Sequence, residues 1–200
     1  MSPDNSPIDL TPSIVAYLTD RAIRTAVDSL LQFKISNMPP GLAVHELGEY
    51  LPARAAAELT RYEYAQALHR AWWEVWGSKV DSLWVSPDLD ALQSAEQVVT
   101  VEGVWKDKWF SLYQERGSTF LYTFVEFNPE AVSIGYSLED DVAPLLKEAI
   151  GPFVWHEDGN YEGWFVATWP MSIARPDFDW VGVQAAASAA LMQVEAYFPR

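Results

Sequence analysis

The sequence predicts an α+β fold: two long N-terminal helices, then an antiparallel β-meander of about five to six strands with an inserted short helix, and a C-terminal helix packed on the sheet. Three observations carry this expectation. As far as Trp76, apolar residues recur at helical spacing. From Val98 to Trp169 the period falls to two, in short runs rich in β-branched and aromatic residues. After Pro176 an Ala-rich helical pattern returns. Residues 1–80 thus read as a helical N-terminal region and 81–200 as the sheet with its C-terminal helix, built into one unit.

Taken in order, Thr11 suits an N-cap with Pro12 at the first helical position. Ile14, Leu18, Ala22, Ala26 and Leu30 then mark one stripe running to Phe33, with Asp20 and Arg24 paired on its flank. The "SNMPPG" segment ends that helix. A second helix is expected from about Pro52 to Trp76, stopped by Gly77. On it Leu59, Tyr62, Gln66, His69, Trp73 and Trp76 share a face, with Ala65, Leu68 and Trp72 on its shoulder. "SPDLDALQSAEQ" reads as a loop. Six strand candidates follow: "VVTVEGVW", "KWFSLYQ", "TFLYTFVEF", "AVSIGYSL", "FVWHE" and "YEGWFVATW". Their short links, Gly117-Ser118 among them, call for antiparallel pairing, because parallel strands need long crossovers. "EDDVAPLLKEAIG" supplies the inserted helix, capped by Asp140 or Asp141 and ended by Gly151. Asp177 or Asp179 caps the final helix, whose apolar face is Val183, Ala187, Ala190, Leu191, Val194 and Phe198.

Charge is the strongest compositional signal. Thirteen Lys and Arg stand against 28 Asp and Glu, a net charge of −15. From Gly117 to Ala174 there are nine acids and a single base, Lys147; from Val80 to Trp105 there are five acids and no base. Such a surface repels phosphate, which argues against direct nucleic-acid binding and suits a basic protein partner. Ten Trp, nine Tyr and nine Phe either fill the core where other chains use Leu or form part of a binding face. The absence of cysteine removes disulfides, thiolate catalysis and Cys-based zinc sites. No Sec-type leader or membrane-length apolar run is visible, which points to the cytoplasm.

The stretch "FVWHEDGNYEGWFVATWP" places His156, Glu157 and Asp158 side by side. Asp158-Gly159 fits the centre of a two-residue hairpin turn, pairing His156 with Tyr161 and Trp155 with Glu162. Strand alternation then puts Phe153, Trp155, Glu157, Glu162 and Trp164 on one face, and His156 with Val154, Tyr161 and Phe165 on the other. His156 and Glu157 cannot share a metal from a regular strand. The first face is an aromatic platform with an acidic rim, suited to Arg or Lys.

Other motifs are incomplete. "HELGE" offers His45 but has Glu49 where the zinc-protease pattern needs a second His. His69 reads as a packed core histidine. No nucleophile elbow or glycine-rich phosphate loop occurs. Glu126 and Glu139 would form a glycosidase-type carboxylate pair only if the fold brought them together.

The sequence-based expectation is therefore a non-enzymatic acidic binding or inhibitor protein with no cofactor and no metal. Its partner would be a basic, nucleic-acid-handling protein such as a nuclease or CRISPR effector subunit. The candidate partner-binding residues are Trp155, Glu157, Asp158, Glu162, Trp164, Glu139, Asp140 and Asp141. Two alternatives stand beside it: a hydrolase-like enzyme using carboxylates and His156, and a structural or assembly subunit.

Overall fold

The computed structural model describes residues 8–32, 39, 41–77, 101–116, 119–139, 150–158 and 161–196. Thr11 caps the first helix as expected, its Oγ1 accepting the Ile14 amide at 3.5 Å. The helix does not run on to Phe33. It stops as α1 (Pro12–Thr19), and α2 (Arg21–Leu31) begins after a bend at Asp20. Asp20 causes the break: its backbone is extended, and its carboxylate accepts the Ala22 and Ile23 amides at 2.7 and 3.2 Å. Arg24 donates to the Tyr17 and Leu18 carbonyls that end α1, rather than pairing with Asp20. The single apolar stripe is split as a result. Ile14, Tyr17 and Leu18 are buried, whereas Ala22 and Ala26 are exposed.

A 3-10 turn (Val44–Glu46) leads into α3 (Leu47–Trp72), which starts earlier than Pro52 and runs into a π-helical turn at Trp73–Gly77. The expected shoulder of Ala65, Leu68 and Trp72 is buried, together with Tyr64. Of the expected face, Leu59 and Tyr62 are 55% and 52% exposed, whereas Trp76, in the π-helical turn, is fully buried. Small residues explain the rotation: Ala57, Ala67 and Ala71 face inward and let the helix lie close to its neighbours. Three ring donors then reach one strand, β2 (Thr119–Phe127). Tyr64 donates to the Phe127 carbonyl, Trp72 to the Thr123 carbonyl and hydroxyl at 3.2 and 2.9 Å, and Trp76 to the Phe124 carbonyl at 3.0 Å.

The segment predicted as the first strand turns out to be helical: α4 spans Val101–Asp107. Its β-branched residues are overridden by packing, since Val104 is buried and Trp105 joins the Tyr17 and Tyr64 rings at 4.9 and 5.5 Å. The other five candidates are strands: β1 (Trp109–Arg116), β2, β3 (Val132–Glu139), β4 (Val154–Asp158) and β5 (Tyr161–Trp169). All pair antiparallel, in the order β1-β2-β3-β5-β4. The meander is thus regular through β3, after which β4 takes the far edge and β5 returns between them. The proposed Gly117-Ser118 turn, the helix over 140–149 and the 86–97 loop lie outside the described residues.

The last helix, α5 (Trp180–Ala196), is capped by Asp179, whose carboxylate accepts the Gly182 amide at 2.9 Å. Val183, Ala187, Ala190, Leu191 and Val194 are buried as expected, while Phe198 is outside the described residues. Gln184 donates to the Glu74 carbonyl at 3.3 Å, which fastens α5 to the π-helical turn. Inward residues of α1, α3, the sheet and α5 form one apolar cluster. Among the described residues no helix is long and apolar enough to cross a membrane.

Trp72→Phe keeps a ring in place but removes the indole donor shared by the Thr123 carbonyl and hydroxyl, leaving the hydroxyl its own bond to the Leu112 carbonyl at 3.3 Å. We expect a loss of about 1–3 kcal/mol in a denaturant titration, with the fold retained. An unchanged midpoint would show that the indole bond contributes nothing.

Candidate functional site

The hairpin register differs from the one the sequence suggested. Asp158 pairs with Tyr161, so Gly159 and Asn160 stand between the strands, and neither is among the described residues. A bulge then intervenes, and beyond it His156 pairs with Trp164, Trp155 with Phe165 and Val154 with Val166. Gly163 accommodates the bulge at φ 92, a left-handed conformation natural to glycine. A one-residue slip exchanges the faces of a strand. Trp155 accordingly turns toward the helices, edge-on to Phe165 at 4.8 Å and lying against Gly163, where a Cβ would collide with it. Trp164 turns outward with His156. The expected Trp155–Trp164 platform is therefore divided between the two faces.

A different constellation occupies the outer face. Trp109, Phe124, Glu126, His156, Glu157, Trp164 and Val166 line a groove of about 360 Å³. Its floor is aromatic: Phe124 stands edge-on to Trp164 at 5.3 Å and to Trp109 at 5.9 Å, and Tyr122 continues the row to Trp164 at 6.3 Å. Gly135 makes the floor possible, because a Cβ there would run into the Phe124 ring. Phe124 is also held from behind, through the Trp76 bond to its carbonyl. Glu126 lies on β2 and Glu157 on β4, with β3 and β5 between them, so the carboxylates mark opposite ends. Three inter-strand steps place their strands about 14 Å apart. Burial pushes the Glu126 carboxyl above the usual carboxylate range. Among the described residues neither Glu126 nor Glu157 has an ion-pair partner.

The expected site residues are thus brought together only in part. Glu157 and Trp164 share the groove. Glu139 ends β3 opposite Phe120, Asp158 ends β4, and Glu162 follows Tyr161 in β5. Asp140 and Asp141 lie outside the described residues. Glu126 and Glu139 do not form a pair: Glu126 is opposite Ser133 and Glu139 opposite Phe120, six residues apart along β2 and so about 20 Å. His69 is half-buried against Phe110 at 5.1 Å, and burial pulls its imidazole pKa down. Trp109 and Phe124 were missed as site residues; the signal that could have found them is a lone glycine, Gly135, inside a strong strand.

Lys108 was also missed. It ends α4 in a left-handed conformation (φ 60), its amide donating to the Val104 carbonyl at 2.8 Å. Its ammonium sits 3.0 Å from the centre of the Trp105 ring and about 5 Å from those of Tyr17 and Tyr64. It makes no hydrogen bond among the described residues. Burial lowers its pKa to about 8, against an attraction to Asp28 that acts the other way. Asp28 also accepts from the Tyr17 hydroxyl at 3.0 Å, and burial with that carboxylate pushes the phenol up.

Compared with known proteins, the chain matches no family model, no curated protein and no solved structure.

Two outcomes follow from these geometries. Because Lys108 titrates near 8 when folded and near 10.5 when unfolded, the unfolded chain holds the extra proton between those values. Stability should therefore rise as pH increases from 8 toward 10, and Lys108→Met should flatten that slope in urea titrations across the range. Gly135→Ala should displace Phe124 from the groove floor and destabilise by about 1–3 kcal/mol. A crystal structure of that variant with Phe124 unmoved would refute the steric account.

Proposed function

We propose that this is a non-enzymatic acidic binding protein that engages a basic, nucleic-acid-handling protein, in the manner of an inhibitor or immunity protein. The observation that supports it is the outer groove, where an aromatic floor lies between two carboxylates that have no ion-pair partner among the described residues. Carboxylates beside ring faces favour Arg and Lys, through charge and cation–π attraction together. The net charge of −15 adds a long-range field that speeds encounter with a basic surface and repels phosphate.

A hydrolase-like reading has one observation in its favour. Glu126, His156 and Glu157 line the same groove, and burial keeps Glu126 readier to hold a proton than an ordinary carboxylate. Among the described residues the groove brings no third group to orient His156, so the binding reading takes precedence. An activity abolished by His156→Ala without loss of stability would reverse that order.

The test is capture from nuclease-treated cell lysate on immobilised protein. A basic nucleic-acid-handling protein should bind at low salt and elute as salt rises. The double reversal Glu126→Lys with Glu157→Lys should abolish capture while circular dichroism stays unchanged. Capture of the same protein by the reversed variant would place the interface elsewhere, and capture of nothing by the parent chain would overturn the proposal.

A further inference from the structure

We infer that the outer groove takes an extended, arginine-bearing peptide segment laid across the strands, with one guanidinium at Glu126 over Trp109 and Phe124 and a second at Glu157 beside Trp164. This deepens the binding reading and rests on it. The groove runs from β2 to β4, crossing four strands. Glu126 is level with Thr168 on β5 whereas Glu157 lies beyond the level of Trp164, so the two positions are about 20 Å apart on the diagonal; one cation cannot serve both, but two can. In an extended chain, side chains at alternate positions leave the same face about 7 Å apart, and long arginine stems cover the remaining distance.

Arginine is favoured over lysine for two physical reasons. The floor presents flat ring faces and edges, on which a planar guanidinium stacks while its N–H groups stay free to pair with a carboxylate. Glu126 is half-buried, so its partner must also shed water, and a guanidinium is more weakly hydrated than an ammonium. The ladder edge is not needed for this mode. Trp109, Phe124, Glu126, His156, Trp164 and Val166 share the outer face by register, and Glu157 reaches the groove where β4 is irregular, so recognition would rest on side chains rather than on strand addition.

Calorimetric titration of the full chain at low salt tests the inference, using acetylated Arg-Gly-Arg amide, Lys-Gly-Lys amide and single acetyl-arginine amide as probes. Arg-Gly-Arg should bind about tenfold or more tighter than either of the others. Glu126→Gln and Glu157→Gln should each weaken it about tenfold, to the level of the single arginine. A guanidinium beside Glu126 also displaces the proton that burial favours there. Binding in mildly acidic buffer should then release a proton, seen as heats that differ between two buffers of unlike ionisation enthalpy. Glu126→Gln should remove that difference and Glu157→Gln should keep it. Equal affinity for the lysine peptide would overturn the arginine assignment, and an unaltered Glu126→Gln titration would overturn the groove as its seat. Should the peptides fail to bind while lysate capture persists and survives both glutamine variants, the groove inference fails and the acidic-binding reading stands. Failure of both removes both.

Discussion

The bonds from the rings of α3 to the carbonyls of β2 are the contacts on which the rest of this fold depends. Tyr64, Trp72 and Trp76 follow one another at spacings of eight and four residues, so they share a helix face. Each is almost completely buried and donates to β2. A carbonyl has two lone pairs, so a ladder bond leaves room for a second donor. This interior strand, β2, can therefore be paired on both edges and still be tied to the helix above it. Buried Trp and Tyr need such acceptors, because an unsatisfied N–H or O–H in the core costs about 1–3 kcal/mol.

The outer face follows from that arrangement. With Thr123, Val125 and Phe127 committed to α3 and the core, Phe124 and Glu126 must point the other way. Phe124 is then held at its backbone by Trp76 and at its ring by the space above Gly135. The aromatic floor is consequently positioned by the fold itself. Glu126 is carried into a half-buried position by the same strand alternation, and its raised pKa is the electrostatic consequence.

Much of the architecture was legible in the sequence, because hydrophobic period and capping residues act locally. Thr11, Asp179 and the apolar face of α5 were readable in this way. Errors arose where a local signal met a tertiary one. Val101 and Val104 look like strand residues, yet packing of Trp105 on Tyr17 and Tyr64 fixes a helix there. Asp20 is as good a cap as a helix-surface charge, and sequence does not separate the two roles. On α3 rings lie on several sides, and the alanines decide which side packs. The candidate site was legible only as a composition of rings and carboxylates in the last hairpin. Its membership turned on the Gly163 bulge, which sets Trp164 beside His156 rather than on the face of Trp155. Phe124, Trp109 and Glu126 come from strands far off in sequence, and only pairing brings them in.

The strand order also dictates when this groove comes into being as the chain folds. β1, β2 and β3 join neighbours in sequence, which closes short loops and is fast. β4 and β5 likewise form a local hairpin, but β5 must dock beside β3 across a longer separation. Phe124 belongs to the first unit, and Trp164 and Glu157 belong to the second. The floor is completed only when the hairpin docks, so neither unit alone assembles the groove. A chain that emerges slowly, or that opens at the β3–β5 seam, presents its acidic charge but not the groove.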